Sequence, residues 1–271
     1  MLPADSNSDS DKPAPRDAMD SPPETVLVIP MPMASIDRVM HEIVEAGDGR
    51  YEGREAPPDG ETPGVIGLLD TKTNWACVCQ MRPREPHLHL LFEKIGHGRV
   101  TKRDAFRVSE HRGILVLSAP GGSVESARWM MDAGAAAMHA GGLGLAVESS
   151  GLGHTPDQWL ELAGNDDPAA LYFAYIATIG KSRRLVYTCG MHNFGLRDAL
   201  TEAFTDHQEA AFVMHSFLKY TYETDNTIHD GDPIGSEEDG PLFRVFREKC
   251  RLHDPRDLFF NPYGMWRVVP M

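Results

Sequence analysis

Apolar residues in the first half of the chain fall into short bursts with two different periods. Val26-Leu27-Val28-Ile29 is a continuous apolar run closed by Pro30, and it predicts a buried strand. Ser35 then precedes Ile36, Val39, Met40, Ile43 and Val44. Their spacing of three and four predicts a capped amphipathic helix that Gly47 stops. Residues 48–63 are polar and rich in Gly and Pro, and read as a loop. Residues 65–69 and 74–81 predict two strands joined by the turn Asp70-Thr71-Lys72-Thr73. In residues 87–92, Leu88, Leu90 and Phe92 alternate with His87 and His89 in period two, which predicts a further strand.

A second round opens at Gly113. Ile114-Leu115-Val116-Leu117 has the continuous apolar character of a central strand. Pro120-Gly121-Gly122 is a turn, and Ser123 caps a helix whose stripe is Ala127, Met130, Met131, Gly134 and Met138. Gly141 and Gly142 end it, and residues 143–147 predict the next strand. At Thr155-Pro156-Asp157-Gln158 a threonine cap, a proline in the first helical position and a glutamine three residues on make a capping box. The helix that follows buries Trp159, Leu160 and Ala163 and stops at Gly164. Residues 171–179 and 185–188 predict a hairpin around Gly180-Lys181-Ser182-Arg183. A helix within 206–222 carries Ala210, Val213, Met214, Phe217 and Leu218 on one stripe, and 242–246 and 266–269 predict short closing strands.

The order strand, helix, strand thus occurs twice. It implies an α+β fold with a mixed or antiparallel sheet, helices packed mainly on one face, and two ferredoxin-like halves. The expected division is a disordered acidic tail over 1–24, an N-terminal half over 25–110 and a second half with a C-terminal extension over 111–271. The tail is rich in Asp, Ser and Pro and holds little that a core could bury.

Charge narrows the function classes. The 271 residues hold 26 basic and 40 acidic side chains, a formal net charge of −14. That balance repels phosphate backbones and anionic lipid surfaces, so neither nucleic acid nor membrane is an expected partner. No apolar run reads as a leader or a membrane span, and the expectation is a soluble cytoplasmic protein. Of the four cysteines, Cys77 and Cys79 share a strand face, with poor geometry for a disulfide.

The candidate sites are few. Gly121, Gly122 and Ser123 form a turn between a strand and a helix, where free N–H groups can hold an anion; a tight turn with an ordinary cap is the plainer reading. Ser150 and His154 lie in a glycine-bearing loop and could pair in a hydrolase, and Gly190 and His192 belong to a similar loop further on. The Gly-x-Ser-x-Gly elbow is missing around Ser150, so a connector is the alternative. His87 and His89 have a strand spacing that can bind a metal, with Cys77 or Cys79 as neighbours, but no complete ligand motif accompanies them. Asp225, Asp230, Asp232, Glu237, Glu238 and Asp239 make an acidic loop that does not fit a calcium template.

Two resemblances add to this. Over about ten residues, the strand–Pro-Gly-Gly-Ser–helix segment at 120–123 resembles the part of Clp-type serine proteases that helps form the oxyanion hole; no matching nucleophile element follows. More of the chain, roughly 113–249, resembles the DUF4261 domain. The residues concerned are Arg184-Leu185-Val186-Tyr187-Thr188-Cys189-Gly190-Met191, Phe194-Gly195-Leu196, and Asp230-Gly231-Asp232-Pro233-Ile234-Gly235, where Pro233 replaces a threonine of the pattern. Ala119-Pro120-Gly121-Gly122 and the Trp159 helix also occupy similar places. The resemblance implies a fold relationship and brings no activity, cofactor or catalytic residue. The leading expectation is a non-catalytic binding or regulatory protein for a protein or small-molecule partner, without a cofactor. A hydrolase through 120–123, Ser150 and His154, and a metal protein through His87 and His89, are the alternatives.

Overall fold

A computed structural model describes residues 22–55, 65–182, 184–204, 206–224, 227–235 and 243–271. Residues 1–21 of the expected 1–24 tail, and Arg183, Asp225, Glu237, Glu238, Asp239 and Leu242, lie outside the described residues. The fold is α+β, built on two sheets.

The first sheet has the order β2-β3-β4-β5-β1-β6-β7. Its strands are β1 (Glu24–Met31), β2 (Tyr51–Glu55), β3 (Val65–Asp70), β4 (Ala76–Pro83), β5 (Gly113–Pro120), β6 (Leu145–Val147) and β7 (Leu152–His154). β1 and β5 pair antiparallel along their whole length, from Glu24 opposite Pro120 to Met31 opposite Gly113. β4 pairs with the free side of β5, and β6 with the free side of β1. The unit from β1 through α1 (Ile36–Ala46) to β4 is therefore split by β5, and the unit from β5 through α4 (Val124–His139) to β6 is split by β1. This is the ferredoxin-like interleaving. The two rounds of strand, helix and strand seen in the sequence are its two arms, within one sheet. The expected boundary at 110/111 runs through the middle of that sheet.

Alternation along the strands separates two layers. Leu27, Ile29, Met31, Leu115, Leu117 and Ala119 face α1 and α4, where Val39, Ile43, Met130 and Met131 are buried against them. Val26, Ile114, Val116 and Ala146 face the other way, onto α2 (Leu88–Ile95) and α3 (Lys102–Val108). So α1 and α4 share one face as expected, while α2 and α3 cover the opposite one.

Here the structure corrects the strand expected at 87–92, which is α2. Leu88 and Phe92, four apart, are buried, whereas Leu90 is 55% exposed. A period-two reading and an i, i+4 pair coincide at Leu88 and Phe92, and the short segment did not separate them.

The second sheet has the order β11-β12-β13-β10-β9-β8, antiparallel except for the parallel pair β10 and β13. Its strands are β8 (Ala177–Gly180), β9 (Val186–Cys189), β10 (Asp198–Thr201), β11 (Pro233–Ile234), β12 (Phe243–Glu248) and β13 (Met265–Pro270). The hairpin of β8 and β9 is as expected, but its first arm is shorter. Asp167 caps and Pro168 opens a helix, α6 (Pro168–Tyr175), across residues expected to be strand. The helix α7 (His207–Glu223) buries Ala210, Met214, Phe217 and Leu218 against this sheet, in one core that continues through α6, α5 (Pro156–Ala163) and α4 to the first sheet.

Candidate functional site

The glycine-rich turn at 120–123 lies at the junction of the two sheets, and its N–H groups are already engaged. Gly121 N–H donates to Pro23 O at 2.7 Å and Gly122 N–H to Asn193 O at 3.0 Å. Ser123 N–H donates to Ser126 Oγ at 3.3 Å while Ser123 Oγ accepts from Ser126 N–H at 3.0 Å, a capping box. An anion at this turn would have to displace all three acceptors. The glycines serve close approach instead. Gly122 has φ +88°, and a Cβ there would meet Tyr263 Oη at 2.6 Å.

Asn193, which the sequence reading passed over, organises the junction. It sits in a one-turn 3-10 helix, Met191–Phe194, bounded by Gly190 and by Gly195 in the left-handed region. Its side-chain oxygen accepts the hydroxyls of Thr25 at 2.8 Å and Ser149 at 3.0 Å, and its amide donates to Gly190 O at 2.8 Å. The expected loop residues are drawn here too. Gly190 has φ +125°; a Cβ would collide with Tyr175 O and come within 3.0 Å of Ser150 Cβ. Thus Gly121, Gly122, Ser150, Gly190 and His192 converge on one buried seam.

Beside the seam lies a buried carboxylate. Asp198 accepts from Thr188 Oγ1 at 3.1 Å, Met191 N–H at 3.2 Å and Asn261 Nδ2 at 2.6 Å. His192 Nδ1 stands 3.8 Å from Asp198 Oδ2. Among the described residues neither ring nitrogen of His192 has a hydrogen-bond partner, and neither has Ser150 Oγ.

His154 is elsewhere in its interactions. It is the last residue of β7 rather than part of a connector, its Nε2–H donates to Ala174 O at 2.9 Å, and its ring meets Trp159 edge-on at 5.2 Å. Burial, with the charge of Arg99, pushes its pKa down to about 4, against the weaker upward pull of the Ala174 bond. It is neutral at pH 7. No hydrogen bond joins Ser150 to His154 or to His192 among the described residues, and both histidines and the serine are at most 1% exposed. A hydrolytic site needs a serine in hydrogen-bond reach of a base and open to substrate.

The other candidates separate. His87 precedes α2 as its cap residue and His89 lies within the helix, so they share no strand face. No group of three or more His, Cys, Asp or Glu among the described residues could hold a metal ion. Cys77 and Cys79 are free, buried and 3.9 Å apart at sulfur, and the hydrogen bond between them with burial pushes the Cys77 thiol up. In the acidic loop, Asp230 Oδ1 accepts Arg247 N–H at 2.6 Å and Asp232 Oδ2 accepts His229 N–H at 2.7 Å, as turn carboxylates do.

Residues 187–257 match the family model described as "Domain of unknown function (DUF4261)". The match bears out the resemblance seen in the sequence. It covers β9 to β12 with α7 and Asp198, and the seam residues from Gly190 to Gly195; the turn at 120–123 and α5 lie upstream of it. Neither a curated protein nor a solved structure matches the chain.

One further cluster escaped the sequence reading. Arg50 Nε donates to Asp70 Oδ2 at 2.7 Å and Nη2 to Asp132 Oδ2 at 2.8 Å, and Trp129 Nε1 donates to the same Asp70 oxygen at 3.1 Å. Burial of Asp70 opposes its ionisation, but the Arg50 bond and the N–H groups of Lys72 and Thr73 outweigh it and hold its pKa below the usual carboxylate value. The cluster ties β2 and the β3–β4 turn to α4. Its ion pairs join three elements of the fold, which gives it a structural role.

Proposed function

We propose that the chain is a non-catalytic binding or regulatory protein, acting in the cytoplasm on a protein or small-molecule partner and needing no cofactor. The observation that carries this reading is the state of the residue types that could do chemistry. The turn N–H groups, Ser149, Asn193, Asp198 and His154 bond to each other and to backbone groups inside the fold. Ser150 is buried and has no base within hydrogen-bond reach among the described residues. Such a seam fixes how the two sheets meet, which is what a binding scaffold requires of its interior. The net charge of −14 favours partners other than nucleic acid. Among the described residues no helix is long and apolar enough to cross a membrane.

A fluorophosphonate probe, which bonds covalently to activated serine hydroxyls, tests the reading on the folded full-length chain. No adduct is expected. An adduct mapped to Ser150, and lost in Ser150→Ala, would replace the binding reading with the hydrolase.

A further inference from the structure

In an acidic protein, unpaired cations held together stand out. Arg197 lies just before β10 and Arg247 near the end of β12, and between them runs β13 with Trp266. Both guanidiniums approach that one indole, Arg197 at 5.6 Å and Arg247 at 5.5 Å from the ring centroid. Phe217 of α7 meets the same ring edge-on at 6.0 Å, so the indole is anchored in the core and holds the arginines in turn.

Neither arginine has a carboxylate partner among the described residues. Glu248, next to Arg247 in sequence, points to the other face of the sheet, where it pairs with Arg267 at 3.4 Å. Asp230 accepts the backbone N–H of Arg247, not its side chain. Arg247 Nη2 donates to Ile228 O at 2.7 Å, and its side chain donates no other hydrogen bond among the described residues. Arg197 is half-buried, packs against Gly264 and donates no hydrogen bond among the described residues. Burial and the repulsion of Arg247 both lower its pKa, and among the described residues the Trp266 ring, with no carboxylate, is what faces the cation.

We propose that Arg197 and Arg247, set on Trp266, form a binding site for a dianionic phosphoryl group. Two guanidiniums call for two negative charges, and the planar fork of arginine suits the oxygens of a phosphoryl group. This deepens the binding reading and rests on it. Arg197 and Arg247 lie within the segment that matches the uncharacterised domain, and Trp266 lies beyond its end.

Calorimetric titration of the full-length chain with inorganic phosphate, at constant ionic strength set by chloride, tests the proposal; a short phosphoserine peptide is a second arm. Saturable binding of phosphate is expected, weakened about tenfold or more in Arg197→Gln and in Arg247→Gln. Arg247 is exposed, so its variant keeps the test open should Arg197→Gln misfold. A peptide that binds tighter than phosphate would place the phosphoryl group on a protein side chain, and equal affinity would place it on a small molecule. Absence of saturable binding, or binding that survives in both variants, overturns the site. Serine labelling is independent of phosphate, so failure of the binding reading and failure of this site remain distinguishable.

Discussion

The side-chain oxygen of Asn193 accepts the hydroxyl of Thr25 at 2.8 Å across 168 positions of sequence. The same oxygen takes the Ser149 hydroxyl, so the start of β1, the turn after β6 and the 3-10 turn after β9 meet on one atom. Asn193→Ala strands two buried hydroxyls, while the Gly190 carbonyl keeps the backbone N–H of residue 193. A loss of about 3 kcal/mol in urea unfolding is expected, from partners left without bonds in the interior. A loss below about 1 kcal/mol would mean that the seam re-forms without the amide.

Two glycines separate conformational from steric demand. Gly49 has φ +77° with nothing near its missing Cβ, whereas at Gly190 a Cβ meets Tyr175 O. Gly49→Ala is expected to cost about 1 kcal/mol, the strain of a left-handed alanine alone. Gly190→Ala is expected to cost severalfold more, because backbone must move. Equal urea midpoints for the two variants would contradict the packing at the seam.

Acid acts on two groups in different windows. The folded pKa of His154, about 4, lies below its ordinary 6.5, so between these values the unfolded chain binds the proton and the folded chain does not. Stability is complete above pH 6.5 and falls as pH drops toward 4, by roughly 3 kcal/mol in all. Asp70 has a lowered pKa as well, and its contribution is present above the pKa of an unfolded aspartate, about 4, and lost below it. His154→Gln should flatten the upper limb of a plot of stability against pH, and Asp70→Asn the lower one. An upper limb unchanged in His154→Gln would show that another group titrates there.

On α7, Phe217 is 5% exposed and Phe212 is 72% exposed. Phe217→Ala is expected to cost about 3–5 kcal/mol through lost burial and the cavity beside Trp266. Phe212→Ala should stay within about 0.5 kcal/mol of wild type. Thermal unfolding of the pair checks the orientation of the helix, and similar losses would mean that it is rotated.

Elements with a strong local signature were legible. The capping box at Thr155 and Gln158, the stripe of α7 and the apolar runs of β1 and β5 carry their structure in a few adjacent residues. Where two periods coincide, or where tertiary packing decides, the local pattern misled. The 87–92 segment is one case. The strand β2 is another: Tyr51-Glu52-Gly53-Arg54-Glu55 is polar and pairs only because β3 lies beside it. α3 also went unread, since its capping box uses Asp104 in place of the usual Glu or Gln. The site was less legible than the fold. Gly121, Gly122, Ser150, Gly190 and His192 did come together, but the residue that joins them, Asn193, carries no motif. Its role arises from contacts to Thr25 and Ser149 that no window of sequence contains.

The place of β5 between β4 and β1 has a consequence during synthesis. When β4 has emerged from the ribosome, β1 is present without the neighbour it needs, and β4 offers one unpaired side. Roughly 40 more residues must follow before Pro120 completes β5, which takes several seconds at about 5–20 residues per second. For that interval the apolar run at Val26 to Ile29 is an open edge, available to other nascent chains. A chaperone that holds the first hundred residues until β5 arrives would raise the yield of folded protein. One added after release would come too late for this step.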